Sequence, residues 1–98
     1  MIAAAAAVAM AAVNKALGDI LYASGDFVQA GAYYEKLCAL YPEDLAIASS
    51  LAWSDLSRGM VREATTIFNN VLAVSPNNAS ARQGLDLCLK PAAGAKPK

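Results

Sequence analysis

Apolar residues along this chain recur at steps of three and four, with polar residues filling the positions between them. This spacing puts apolar side chains on one face of an α-helix. Gly, Pro, Asp and Asn lie between these segments and are the residues that end and begin helices. The pattern predicts an all-α fold of about five helices: an N-terminal helix up to residue 24, then 27–41, 45–57, 61–74 and 79–90.

The residues between the predicted helices suit particular positions in turns and caps. Gly25 is typical of the left-handed turn that closes a helix. Asp26 is predicted to cap the next helix, with Gln29 three residues on completing a capping box. Asp44 and Asn78 occupy the same N-cap position 34 residues apart, so the turns repeat along with the helices.

Residues 1–13 are all apolar, and eight of them are alanine. A helix that is apolar all round is normally buried in protein or lipid. Thirteen residues are too few to span a bilayer, which takes about 20, and no Lys or Arg precedes them as in a signal peptide. We therefore predict an Ala-rich extension of the first helix that packs on a protein neighbour. Membrane contact and self-association through residues 1–13 are the less favoured alternatives.

The second half of the chain repeats the first with a period of 34 residues and no insertion. The recurring pairs are Leu17 and Leu51, Gly25 and Gly59, Ala30 and Ala64, Tyr34 and Phe68, Leu37 and Val71, and Pro42 and Pro76. A self-match at this period is typical of a helix-turn-helix repeat. The small residues Ala30 and Ala64 fall where paired helices approach closely.

The repeated positions resemble the tetratricopeptide repeat family, whose pattern runs W-x2-LG-x2-Y, then A-x3-F, then P. The matching positions are Asn14, Leu17, Gly18, Leu21, Ala30, Tyr34 and Pro42 in the first copy, and Ala48, Leu51, Ala52, Asp55, Ala64, Phe68 and Pro76 in the second. Asp55 departs from the pattern, because the family has an aromatic residue there. The resemblance implies antiparallel helix pairs in a short right-handed superhelical array.

The expected domain organisation follows the repeats. Residues 14–90 form a tetratricopeptide-like domain, with repeats at about 11–44 and 45–78 and a capping helix at 79–90. The apolar face of this helix is predicted to hold Ala81, Leu85, Cys88 and Leu89. A terminal helix of this kind covers the last apolar face of an array. Residues 91–98 are expected to be a disordered, basic tail.

Composition and charge exclude several classes of function. The chain is 57% hydrophobic and 16% charged, which predicts a folded domain rather than a disordered one. Its formal net charge is zero, but three of the eight basic residues lie in the last nine positions, leaving five basic against eight acidic residues before them. A mildly acidic body gives no electrostatic footprint for nucleic acid.

Catalytic chemistry has little support in the sequence. There is no histidine, the commonest acid-base and metal-ligating residue. Cys38 and Cys88 fall on apolar stripes and are interpreted as small buried hydrophobic residues, with a disulfide or a reactive thiol as the alternatives. Two cysteines are too few for a zinc site. We predict no enzyme, no metal and no cofactor, and reduced cysteines favour an intracellular or organellar interior.

The resemblance also implies a concave groove lined by the first helix of each repeat and by the capping helix. Its expected residues are Lys15, Asp19, Tyr22, Ser49, Trp53, Leu56, Gln83 and Leu87. Trp53 stands out, because tryptophan is often an interface anchor. It could equally pack against a neighbouring helix of the same chain.

One ligand class known for the family is disfavoured by the groove residues. Tetratricopeptide domains that bind the carboxylate end of heat-shock chaperones use a clamp of Lys, Asn, Asn, Lys and Arg. Lys15 matches its first member, but the other four positions hold Asp19, Ser50, Ser80 and Gly84. Asp19 would repel a carboxylate, so chaperone-tail binding is not expected.

A protein-binding function follows from these observations. The favoured hypothesis is a non-catalytic scaffold or assembly subunit of a larger multi-protein complex, because two repeats and a cap form a short array. One alternative is a freestanding peptide-binding adaptor or co-chaperone that uses the concave groove. The other is a membrane-attached, receptor-like module in which residues 1–13 contact lipid.

Overall fold

A computed structural model of the protein describes the backbone of residues 2–90 and the side chains of residues 9–90. The described part consists of five helices without a strand: α1 Ile2–Ala23, α2 Phe27–Leu40, α3 Leu45–Ser57, α4 Val61–Val74 and α5 Ala79–Leu89. The all-α prediction is confirmed. The predicted disordered tail, residues 91–98, lies outside the described residues, as do the side chains of residues 1–8.

The helices begin and end close to the predicted positions. Helices α3 and α4 have the predicted bounds, and α2 and α5 each end one residue earlier than predicted. At the end of α2, Tyr41 is a C-cap whose backbone N–H donates to the carbonyl of Leu37 at 2.8 Å, although its backbone is no longer helical. The apolar stripe therefore placed α2 and α5 but did not resolve the last residue of either helix.

The two helix pairs turn through the same backbone motif. Gly25 and Gly59 both have positive φ, 92° and 82°. Each glycine follows the end of a helix, and the residue after it donates its N–H back to the fifth residue before: Asp26 to Leu21 and Met60 to Asp55, both at 2.8 Å. This is the Schellman arrangement, which requires a left-handed residue that glycine adopts without strain.

Side-chain caps begin three of the helices, as predicted. Asp26 accepts the backbone N–H of Gln29 at 3.1 Å, and the Gln29 side chain donates to the same carboxylate at 2.9 Å. The expected capping box is not formed, because the Asp26 N–H donates to the carbonyl of Leu21 and not to the Gln29 side chain. Asp44 caps α3, and Asn78 caps α5. Met60 begins α4 with nearly the same backbone angles as Asp26 but has no side-chain hydrogen bond. The second turn therefore repeats the shape of the first without its cap.

The core repeats with the sequence. The buried residues of α2 include Ala30, Tyr34 and Leu37, and those of α4 are their counterparts Ala64, Phe68 and Val71. Two predictions about the apolar stripes are wrong. Leu89 is 70% exposed, because α5 packs on α3 and α4 only, which leaves its far side open. Cys38 is half-buried rather than buried.

Glycines allow two of the buried rings to approach neighbouring helices. A Cβ built on Gly18 of α1 would lie 2.8 Å from Cε1 of Tyr34, and one built on Gly84 of α5 would lie within 2.5 Å of three Phe68 ring carbons. Both distances are shorter than carbon atoms tolerate. Each ring therefore occupies the space that a side chain would take, and the helices approach closely at these two points.

The array is elongated, with extents of 59 × 29 × 18 Å. Within the described residues, α3 packs on α2, α4 and α5, whereas the extensive packing of α1 is with α2 alone. The other side of α1 is uncovered, with Met10 58%, Val13 51%, Leu17 39% and Ile20 63% exposed. Over the part of the chain that the structure describes, no helix is both long and apolar enough to cross a membrane.

Candidate functional site

A pocket of about 380 Å³ opens between α1 and α3. Its walls are Asp19 and Tyr22 of α1, Tyr34 of α2, and Ser50 and Trp53 of α3. We call this the central pocket. Three of the expected groove residues, Asp19, Tyr22 and Trp53, therefore line a single cavity.

The Asp19 carboxylate is the charged group of the central pocket. Lys15, one turn earlier on α1, donates to Oδ2 at 2.9 Å, and the Tyr34 hydroxyl donates to Oδ1. Burial alone raises the pKa of Asp19, but the hydrogen bonds from Tyr34 and Lys15 and the Lys15 charge outweigh it, so the pKa is lowered. The side chain is still 49% exposed. Asp19 therefore presents a stable negative charge to solvent.

Polar atoms of the three aromatic residues are already bonded within the chain. The Tyr22 hydroxyl lies 3.2 Å from Ser57 Oγ, and Trp53 Nε1 donates to Ser80 Oγ at 2.9 Å. The Tyr34 hydroxyl donates to Asp19, and this contact together with burial raises the pKa of Tyr34. The aromatic residues therefore offer the pocket mainly ring surface.

Trp53 combines the two roles considered from the sequence. Its ring packs edge-on against Phe68, with centroids 5.5 Å apart and an interplanar angle of 74°. It also remains half-buried and lines the central pocket on one side and a second pocket of about 250 Å³ on the other. The core contact fixes the ring in a position from which it forms part of both walls.

The remaining expected groove residues are distributed over three places. Gln83 and Leu87 are exposed and line the second pocket beside Trp53. Lys15 lines a third cavity of about 220 Å³, which extends to α3 through Ile47. Leu56 is half-buried and packs against the core around Phe68. The structure thus places these residues beside the central pocket rather than in it.

Ser49 lies inside the helix packing, with 6% of its surface exposed, and its Oγ has no hydrogen-bond partner. The next residue, Ser50, lines the central pocket instead. Adjacent residues on an α-helix point about 100° apart, so an error of one residue in assigning the pocket face of α3 exchanges one serine for the other. Ser50 could have been found from its place in the chaperone clamp.

Tyr34 is the other pocket residue that the groove prediction omitted. Its spacing from Ala30 and Leu37 predicts a core residue, and it is 2% exposed. Its hydroxyl nevertheless reaches Asp19. A buried tyrosine hydroxyl usually has a hydrogen-bond partner. The sequence could therefore have predicted a polar partner for the Tyr34 hydroxyl, although not which residue it is.

Asp55, the residue that departs from the repeat pattern, is buried. It is 4% exposed, and its Oδ1 has no hydrogen-bond partner. Burial raises the pKa of its carboxyl, and the nearby Glu35 and Glu63 raise it further, while Arg58 acts in the opposite direction. Asp55 therefore replaces an aromatic residue of the pattern at a site that favours an uncharged side chain.

The cysteines give no site within the described residues. Both are free thiols; Cys88 is buried, and Cys38 is half-buried on the wall of an apolar cleft. Burial raises the pKa of the Cys38 thiol, as do the charges of Asp44, Glu35 and Asp55. A raised pKa lowers the fraction of reactive thiolate. Residues 2–90 also contain no cluster of His, Cys, Asp and Glu that could hold a metal ion.

Comparison with known families agrees with the repeated turns, caps and buried rings. The tetratricopeptide repeat profile matches residues 21–87, more than half of the chain. The chain belongs to the tetratricopeptide repeat family. Tetratricopeptide repeats are generally non-catalytic and mediate protein–protein interactions. No curated protein matched the sequence.

Proposed function

We propose that this tetratricopeptide repeat chain is a non-catalytic assembly subunit that joins a larger protein complex through the uncovered side of α1. The observation that supports this is the row of four exposed apolar side chains: Met10, Val13, Leu17 and Ile20. They follow one another at steps of three, four and three residues, the spacing of a helix–helix seam. Soluble proteins rarely expose such a contiguous apolar surface without a partner.

The place of this surface in the array agrees with that role. Each unit of a repeat array covers the apolar face of the next, and α3 is packed by helices before and after it. Fully burying an aliphatic side chain stabilises by about 1.5–3 kcal/mol. Since the four residues are already about half-buried, covering them yields roughly 3–6 kcal/mol. Association costs about 4–15 kcal/mol, so a stable contact needs additional area from the partner.

Light scattering coupled to size exclusion tests this proposal on the full chain. The wild type should self-associate weakly as its concentration rises, because an uncovered seam pairs with any suitable apolar surface. The double variant Val13→Glu/Ile20→Glu should remain a monomer of 10.1 kDa. A matched control is Val28→Glu/Val74→Glu, which adds the same charges at exposed apolar positions on α2 and α4.

The control should behave as the wild type does. If the wild type stays monomeric at every concentration, or if both double variants abolish association equally, the α1 surface is not a specific contact and the proposal is wrong.

The central pocket favours a second candidate function, that of a peptide-binding adaptor. Its open aromatic walls could accept a segment of another protein. Random peptides displayed on phage and selected on the full chain should yield binders that lose affinity for Tyr22→Ala. Tyr33→Ala is the control, because Tyr33 is half-buried on α2 but does not line the pocket. If no selected peptide distinguishes these variants, the central pocket is not a peptide site.

A further inference from the structure

We propose that the central pocket binds a positively charged side chain, arginine or lysine, presented by a protein partner. The inference rests on the adaptor function of this pocket and specifies the chemistry of its ligand. Two features of the pocket carry the argument: the groups that remain free for a ligand, and the charge among them.

The free groups of the central pocket are few. The hydroxyls of Tyr22 and Tyr34 and the indole N–H of Trp53 all have partners within the chain. A ligand that needed hydrogen-bond donors from these aromatic residues would have to break internal bonds. The Ser50 hydroxyl also interacts with Tyr34. What remains is ring surface and the unused lone pairs of the Asp19 carboxylate.

A pocket that offers aromatic ring surface and a carboxylate favours a positively charged ligand. The faces of aromatic rings carry negative charge density and attract ammonium and guanidinium groups, most strongly in the case of tryptophan. Asp19 is ionised at neutral pH, since its pKa is lowered, and half of its side chain is open to solvent. A carboxylate ligand would be repelled, and an uncharged ligand could gain a hydrogen bond from Asp19 but not the attraction between opposite charges. A planar guanidinium can also stack on a ring while it donates to the carboxylate.

Among the residues that the structure describes, one cation, Lys15, reaches Asp19. Lys15 Nζ is 2.9 Å from Oδ2, but the pair is exposed on both sides, and exposed pairs of this type contribute little stability. Each carboxylate oxygen accepts a further hydrogen bond, so Lys15 competes with a ligand without closing the site. Removing the Lys15 charge should therefore strengthen the binding of a cation.

A titration followed by NMR tests the proposal on the full chain. Trp53 is the only tryptophan, so its indole N–H gives one assigned resonance at the pocket wall. The ligands are three blocked alanine-rich peptides that differ at one central position: arginine, its uncharged isostere citrulline, or glutamate. The arginine peptide should shift the indole resonance saturably, about tenfold more tightly than the citrulline peptide, and the glutamate peptide should cause no shift.

Three variants distinguish the effect of charge in the pocket on arginine binding from the effect of the net charge of the protein. Asp19→Asn keeps an acceptor for Tyr34 and should weaken arginine binding about two- to fivefold, because it removes the ion pair and leaves the ring contacts in place. Lys15→Gln should strengthen it. Glu43→Gln makes the same change of net charge at an exposed position outside the pocket and should leave the affinity nearly unchanged. A thermal melt of each variant confirms that the chain is folded.

Some results would overturn the inference. These are equal binding of the arginine and citrulline peptides, no shift with the arginine peptide at millimolar concentration, or equal effects of Asp19→Asn and Glu43→Gln. The phage selection then shows how far the failure extends. Selected peptides that depend on Tyr22 but lack basic residues would preserve the adaptor function and remove only the cation preference. The absence of any such peptide would remove both.

Discussion

Replacing Gly84 by alanine tests the closest helix approach in the array. Gly84 lies on α5 against the ring of Phe68, which is completely buried. The new Cβ would lie within 2.5 Å of three ring carbons. The ring must therefore move by about 1 Å to restore ordinary contact, although the ring of Trp53 also packs against it. Neither ring can move freely in a packed core.

The net effect is the difference between two opposing contributions. Alanine is a better helix former than glycine by about 1 kcal/mol. Overpacking a core costs about 1–3 kcal/mol, and contact with three carbons of a buried ring places this site in the upper part of that range. Gly84→Ala should therefore lower the free energy of unfolding by about 1–2 kcal/mol.

Gly31→Ala is the matched control, because it makes the same chemical change inside another helix. A Cβ at Gly31 would lie 3.6 Å from a guanidinium nitrogen of Arg58 and 3.8 Å from Cβ of Ser54. Both are ordinary contacts. Only the helix preference remains, so Gly31→Ala should stabilise the protein by about 0.5–1 kcal/mol.

Thermal unfolding followed by circular dichroism measures both effects. In a domain of this size, 1 kcal/mol corresponds to about 4–8 °C in Tm. Gly84→Ala should lower Tm by about 5–15 °C, and Gly31→Ala should raise it by about 2–8 °C. The near-ultraviolet signal of Trp53 should change only in Gly84→Ala. Equal shifts of Tm in the two variants, or a more stable Gly84→Ala, would refute this account of the close approach.

Three other substitutions have signs that follow from the structure. Asp55→Asn should stabilise the protein: the folded state raises the pKa of Asp55 above its ordinary value of 3.8, so the wild type loses stability as pH rises from 3.8 through the folded-state pKa. Urea melts at several pH values should show that the free energy of unfolding of Asp55→Asn exceeds that of the wild type by an amount that grows as pH rises from 3.8. A difference that is the same at every pH would contradict the raised pKa of Asp55. Met60→Asn should give α4 the missing N-cap, because the new side chain can accept the backbone N–H of Glu63 as Asp26 accepts that of Gln29. The free energy of unfolding should rise by about 0.5–1 kcal/mol, and an unchanged urea midpoint would contradict this prediction. Ala30→Leu should cost about 1–3 kcal/mol, since Ala30 is fully buried, and an unchanged thermal melt would contradict the close packing of α1 and α2.

The periodic part of the fold could be predicted from the sequence because it depends on local rules. Apolar spacing located α3 and α4 to the residue, and the chemistry of Asp44 and Asn78 located two helix starts. Such features depend on residues only a few positions apart. The 34-residue period then related segments that are distant in sequence, because the same positions of both copies are buried between helices.

Features that depend on how helices rotate against each other could not be predicted in this way. Hydrophobicity favoured Leu89 over Gly84 as a contact of α5, but the space beside Phe68 admits only a hydrogen atom. Ser49 and Ser50 are chemically identical, and only the rotation of α3 decides which one faces the central pocket. Asp55 is polar, yet its position in the repeat places it in the interior.

The one-sided packing of α1 also sets an order in which the helices open. Within the described residues α1 packs extensively on α2 alone and touches α3 only at a few points such as Tyr22 and Ser57, whereas α3 is packed by α2, α4 and α5. Regions with fewer packing contacts open at lower free energy. Backbone amide protons of α1 should therefore exchange with solvent first, and those of α3 last. A partner helix seated on Met10, Val13, Leu17 and Ile20 would slow exchange in α1 selectively, so the exchange rate of this one helix would report whether such a partner is bound.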